Sequence, residues 1–188
     1  MDTYNLIQNG AKQIKAYVFS IGEPTTKLCI EALNNQGVEV VLYQDGSRFT
    51  EKYKRMLDEA TDDVFLRVDA DIIVNHRVKE YLSQAKDWSC AYGWVWWQQD
   101  LQPISVMHYT REVIDIIKAH VHDKVFLHTA RPEQYMWSLP ELKDKIHKVY
   151  VPVGIKGYGV RNLKPVKERK ANRGQTYNWR WVEKINEL

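Results

Sequence analysis

The sequence predicts an α/β fold: a mostly parallel central sheet flanked by helices, with an irregular C-terminal part. Two observations carry that expectation. Short β-branched and aromatic runs alternate with amphipathic stretches of about a dozen residues, which suits parallel strands joined by crossover helices. Each run also ends in a polar or turn-forming cluster: Ser20–Pro24, Asp45–Ser47 and Asp69–Asp71. In such sheets ligands sit beyond the carboxyl ends of the strands, so these clusters are the natural place for a site.

The elements follow in order. Ile14–Ile21 (IKAYVFSI) is a first strand, closed by Gly22-Glu23-Pro24. Thr25 or Thr26 caps a helix whose apolar positions are Leu28, Cys29, Ala32 and Leu33. Gly37 supplies its left-handed stop. Val38–Tyr43 is a second strand ending at Asp45-Gly46-Ser47, and Phe49–Ala60 a second helix through Tyr53, Met56 and Leu57. Val64–Val68 is the third strand. Beyond it, Arg77–Ala85 is helical, Trp88–Trp97 (WSCAYGWVWW) strand-like and Tyr109–Ala119 amphipathic. Val125–Leu127 is short and apolar, Pro132–Ile146 helical but broken at Pro140, and Lys148–Val153 a last strand before the turn Gly154–Gly159.

At 188 residues, 44% hydrophobic and 27% charged, the chain is an ordinary globular domain with room for its own core. No apolar run approaches the 18 or so residues of a membrane span. The opening MDTYNLIQNGAKQ has neither a basic nor an apolar signal region, so no secretory signal is expected. Cys29 and Cys90 are far apart among apolar neighbours and suit reduced core thiols, which points to the cytoplasm. The net charge of +3 is uneven: from Lys164 onward seven Lys or Arg face three Glu, a balance of +4 that leaves the body at −1. A basic tail suits a phosphate, nucleic-acid or anionic-membrane partner, or a solvated terminus.

The chemistry concentrates in Phe65–Val74, FLRVDADIIV. Asp69 and Asp71 are spaced i, i+2, so at the end of a strand both project from one edge. Two carboxylates that close repel unless a cation or a proton lies between them. A hard divalent ion with positions open to phosphate oxygens suits that need.

Together FSIGEP, YQDGS and VDAD, in that order, resemble a GT-A-fold (Rossmann-like) glycosyltransferase, most of all the family 2 type. The resemblance covers Ala16–Val74 and thins afterwards. It implies one GT-A-like domain over 1–163, with a nucleotide-binding half at 14–76, an acceptor half at 77–163, and a basic tail at 164–188. It further implies that Ser20 and Glu23 line the nucleotide-base pocket and that Asp45 contacts base or ribose. Asp69 would lie near the ribose and a metal-bound water, and Asp71 would ligate Mn²⁺ or Mg²⁺ bridging the phosphates of a nucleotide-diphosphate sugar. Such a metal stabilises the charge that develops on the departing diphosphate.

An inverting enzyme of this kind also needs a base for the acceptor hydroxyl. The family's Glu-Asp pair is matched by Arg131-Pro132-Glu133-Gln134, which makes Glu133 the candidate, with Gln134 replacing the Asp. The family's metal-binding histidine has no counterpart in Val149–Tyr158; His147, just before that segment, is the nearest. Seven tryptophans are too many to leave exposed, so some belong to the core, and at least one is expected to line the acceptor site, where an aromatic face stacks on a sugar or a base. The resemblance implies a metal-dependent glycosyltransferase whose acceptor hydroxyl belongs to a saccharide, a protein side chain or a modified DNA base. The alternatives are a sugar-nucleotide nucleotidyltransferase, whose glycine-rich basic loop SIGEPTTK lacks, or an inactive nucleotide-sugar or nucleic-acid binding module.

Overall fold

The structure, a computed structural model, describes residues 13–23, 25–95, 100–121 and 132–157. Seven strands make one sheet: β1 (Lys15–Ser20), β2 (Glu39–Gln44), β3 (Val64–Asp69), β4 (Ile72–Val74), β5 (Trp88–Val95), β6 (Asp100–Thr110) and β7 (Ile146–Lys156), in the order β2-β1-β3-β6-β5-β7-β4. Five helices accompany them among the described residues: α1 (Thr26–Asn35), α2 (Phe49–Glu59), α3 (Val78–Gln84), α4 (Arg111–His120) and the short α5 (Pro132–Met136), with a 3₁₀ turn at Pro140–Leu142.

The first three strands pair parallel, as their alternation with helices requires. The sheet as a whole is mixed: β6 runs antiparallel to both β3 and β5, β7 runs parallel to β5, and β4 runs antiparallel to β7. The period-2 alternation of β3 divides its side chains between two cores. Leu66 and Val68 join Cys29 and Leu33 of α1 and Val78, Tyr81 and Leu82 of α3 on one face. Phe65 joins Tyr53, Met56 and Leu57 of α2 and Val113, Ile114 and Ile117 of α4 on the other. That second core is aromatic, with Phe65 and Tyr109 stacked at 5.4 Å and Tyr17 edge-on to Phe65 at 5.0 Å.

Most of the local expectations hold. Gly37 adopts φ +78° and turns the chain out of α1. Leu33 and Cys29 are buried at helical spacing. Pro140 does break the segment after Pro132. Three elements differ. Asp100–Thr110 forms a strand where none was expected, and α4 begins only at Arg111. The last strand runs on to Lys156, so Gly154 lies inside a ladder rather than in a turn. Ile72–Val74 is a strand of its own, paired with β7 rather than continuing β3. Trp96, Trp97, Val125–Leu127 and the basic tail from Lys164 lie outside the described residues.

Candidate functional site

The parallel register aligns the carboxyl ends of β1, β2 and β3. Phe19 of β1 stands between Tyr43 of β2 and Asp69 of β3, and Ser20 stands beside Gln44. Asp45 and Asp69 therefore flank the end of β1, two strand spacings (about 10 Å) apart. Chain direction alone brings the three sequence clusters to one edge.

At β1, Ser20 and Glu23 form a closed local network. Glu23 Oε2 accepts from the Ser20 hydroxyl at 2.6 Å and from the Ile21 N–H at 2.7 Å. The Thr26 hydroxyl lies 2.8 Å from that of Ser20 and donates to the Glu23 carbonyl at 2.8 Å. Lys52 of α2 is buried and donates to the Ser20 carbonyl. A cavity of about 520 Å³, lined by Glu23, Thr26, Ile30 and Gln44 among others, opens beside this turn. Of the candidate site residues named from the sequence, Glu23 is the one that lines it.

Asp45 makes the turn its sequence suggests: Oδ1 accepts from the Ser47 N–H at 2.9 Å. Its other oxygen pairs with Arg55 at 2.7 Å, and Arg55 lies over the Tyr43 ring at 4.3 Å. The Ser47 contacts, then Arg55, hold the Asp45 carboxyl well below the usual range. Asp45 is exposed and touches none of the other candidate residues.

The remaining carboxylates are drawn together by two cations that sequence reasoning did not single out. Arg67 lies two residues before Asp69, on the same face of β3, and its side chain is 1% exposed. It pairs with Asp69 Oδ1 and donates one hydrogen bond to Glu133, Nη2 to Oε2 at 3.2 Å, with Nε 2.9 Å from Oε1 as an ion-pair contact. The guanidinium also lies over the Phe19 and Phe49 rings, at 5.5 and 5.2 Å. Tyr109 adds a hydroxyl to Glu133 Oε1 at 3.1 Å. Lys156, the last residue of β7, places Nζ 2.8 Å from Asp69 Oδ2, 3.7 Å from Asp71 Oδ1 and 3.4 Å from Ser105 Oγ.

The result is an alternating chain, Glu133–Arg67–Asp69–Lys156–Asp71. Burial disfavours charge on Asp69, but Arg67 and then Lys156 outweigh it and hold the carboxyl below the usual range. Burial pushes Asp71 up, against the pull of Lys156 and with help from Asp69 and Glu23. Burial raises Glu133 too, with Arg67 opposing. One signal was legible beforehand: Arg67 is the single charge inside the run Val64–Val68. Nothing local marks Lys156.

A divalent ion shared by Asp69 and Asp71 needs accessible oxygens on both. Both oxygens of Asp69 already face a cation. Asp71 Oδ1 is buried without a hydrogen-bond partner among the described residues. The Lys156 ammonium stands between the two carboxylates, where a shared ion would stand. A dication about 4 Å from it would meet roughly 8 kcal/mol of repulsion at an effective dielectric constant of 20. As arranged, the expected pair Asp69 and Asp71 does not fit Mn²⁺ or Mg²⁺ alongside this lysine. Among the described residues no group of three or more His, Cys, Asp or Glu is placed to hold a metal. His147 is no third ligand: it pairs with Asp87 at 3.1 Å, nine strand residues (about 30 Å) from Lys156.

No protein-family model matches the chain, and no curated protein matches its sequence. Among solved structures, the chain is similar to 2-C-methyl-D-erythritol 4-phosphate cytidylyltransferase from Thermus thermophilus, with 10% identity, 74% of this chain and 89% of that chain covered, and a TM-score of 0.51. The 4-diphosphocytidyl-2C-methyl-D-erythritol synthase from Anaerococcus prevotii matches over the same shares at 6% identity, also with a TM-score of 0.51. A glycosyltransferase involved in the glycosylation of the major capsid of PBCV-1 matches more loosely, at 12% identity over 74% and 83% of the two chains, TM-score 0.47. At these identities the likeness speaks for the fold alone, a Rossmann-like α/β sheet of the GT-A and nucleotidyltransferase type. No helix among the described residues is long and apolar enough to cross a membrane.

Proposed function

We propose that this protein is a transferase acting on nucleotide-diphosphate sugars, moving the sugar to an acceptor hydroxyl with Glu133 as the base. The observation that carries this is the meeting of Glu133 with Asp69 on one buried arginine, at the strand ends where such sheets bind ligands. Arg67 fixes the rotamer of Glu133, and burial leaves its carboxylate more basic than an exposed one. Among the described residues its Oε2 has one hydrogen-bond contact, to Arg67, which leaves a lone pair for a substrate proton.

In the step, the acceptor oxygen bonds to the anomeric carbon while its proton passes to Glu133. The bond from that carbon to the diphosphate oxygen breaks, and the electron pair stays on the diphosphate. The cavity beside Glu23 and Gln44 is in the size range of small-molecule sites and supports a base pocket at the end of β1.

A nucleotidyltransferase is the second reading, favoured by the likeness to a cytidylyltransferase. The turn after β1 speaks against it. Its Ile21 N–H is spent on the buried Glu23 carboxylate, where a triphosphate would need free N–H groups and no anion.

The test is release of nucleoside diphosphate from a panel of nucleotide sugars, with saccharides and hydroxymethylated DNA as acceptors. Glu133→Gln should lower transfer by about 10²–10⁴-fold while leaving diphosphate affinity within a few-fold. The parent's rate should climb as pH rises through the raised pKa of Glu133 and then level off, because only the carboxylate accepts the proton. Diphosphate release from nucleoside triphosphate and sugar phosphate instead would favour the second reading. Unchanged transfer by Glu133→Gln would remove the base assignment.

A further inference from the structure

We propose that Lys156, in place of a divalent cation, holds the diphosphate beside Asp71. The identity of the ligand rests on the transferase reading above; the charge arrangement does not.

The backbone puts Lys156 there. In the antiparallel ladder between β4 and β7, Lys156 is the register partner of Ile72, the residue after Asp71. The next N–H, of Gly157, donates to the Asp71 carbonyl at 2.7 Å. A ladder and a backbone hydrogen bond therefore tie the end of β7 to the turn that carries Asp71. They fix where the side chain of Lys156 starts, at the edge that carries both aspartates. Its contacts, at 2.8 Å to Asp69 and 3.7 Å to Asp71, span the gap between the two carboxylates.

Arg67 and Lys156 put one positive charge at each oxygen of Asp69, so that carboxylate is offset without a dication. Arg67 is fully enclosed, so it serves Asp69 and Glu133 and reaches no ligand. Lys156 keeps 19% of its side chain exposed. An ammonium has three donors, and a compact charge of this type is a common phosphate ligand. Among the described residues Asp69 takes one donor, Ser105 makes a weaker contact and Asp71 Oδ1 stands beyond hydrogen-bond distance, which leaves a donor for a diphosphate oxygen. When the sugar–phosphate bond breaks, the new negative charge would form beside this ammonium.

The experiment uses the full chain and two probes, inorganic pyrophosphate in EDTA and Mn²⁺ alone, read by thermal unfolding. Pyrophosphate at ten times its Kd should raise the parent's Tm by roughly 3–6 °C in EDTA. Lys156→Met, which keeps the aliphatic stem, should lose that rise, and Lys156→Arg should keep most of it. Mn²⁺ alone should leave the parent's Tm unchanged. Lys156→His removes the ammonium and sets an imidazole beside Asp71; it should gain a Mn²⁺-dependent rise.

Pyrophosphate that stabilises the parent only with Mn²⁺ present, or Mn²⁺ that stabilises it alone, would overturn the inference. The parent's two responses decide this even if every variant fails to fold. Nucleotide-sugar turnover that requires Mn²⁺ would also overturn it, while leaving the transferase reading standing. Pyrophosphate binding in EDTA that Lys156→Met loses, with no nucleotide sugar consumed under any condition, would support Lys156 and remove the transferase reading.

Discussion

Arg67 and His108 show opposite ways of burying a basic residue. Arg67 keeps its charge because Asp69 and Glu133 surround it, and removing both would strand a charge in the interior. His108 gives its charge up. It is 1% exposed, its Nδ1 lies 3.2 Å from the Asp87 carbonyl, and its Nε2 has no partner among the described residues. A carbonyl only accepts, so Nδ1 carries the proton and the ring is neutral. Burial pushes its pKa down from 6.5 to about 4. The unfolded chain therefore binds a proton between those values while the folded chain does not, so stability falls as pH drops through that window. The loss amounts to about 3 kcal/mol by pH 4. His108→Leu should flatten the fall: its Tm should drop between pH 7 and pH 4 by roughly 6–12 °C less than the parent's. Parallel curves for the two proteins would mean that His108 does not titrate in this window.

At the scale of elements, the short strand β4 decides where Asp71 goes. It pairs with β7 rather than prolonging β3, and the two backbones come together at Gly154. A Cβ there would collide with the Ile73 carbonyl oxygen and lie 2.8 Å from Val74 Cα. Both obstacles are backbone, so neither turns aside. Gly154→Ala should cost about 1–3 kcal/mol by overpacking, read as a lower urea midpoint. Gly46→Ala, where a Cβ meets nothing within 4 Å, is the control and should shift stability by no more than about 0.5 kcal/mol. A Gly154 variant as stable as that control would mean that β4 does not press on β7. Strand β6 was illegible for a related reason. Pro103 removes a ladder donor, and it is tolerated because it lies opposite Tyr92, where the β5–β6 register shifts. Only the partner strand reveals that irregularity.

For the whole molecule, the two cores share one sheet and cannot part without tearing it. Leu33 belongs to the core under α1 and α3, and Ile117 to the one under α2 and α4; both are fully enclosed. Leu33→Ala and Ile117→Ala should each cost about 2–5 kcal/mol. Tryptophan fluorescence and far-ultraviolet circular dichroism should report one shared urea transition in both variants. Two transitions, with either variant moving only one of them, would show that the faces unfold separately.

Spacing along the chain was enough for the local elements. Alternation built β1–β3, helical spacing built α1 and α2, and chain direction sent Ser20, Asp45 and Asp69 to a common edge. The charge pattern of the site was decided only in three dimensions. Arg67 meets Glu133 across 66 residues, and Lys156 meets Asp69 across 87. An ion pair carries no trace of its partner in its own neighbourhood. A buried arginine, two close aspartates and a lysine at a strand end are separate local facts until the ladder between β4 and β7 brings them together.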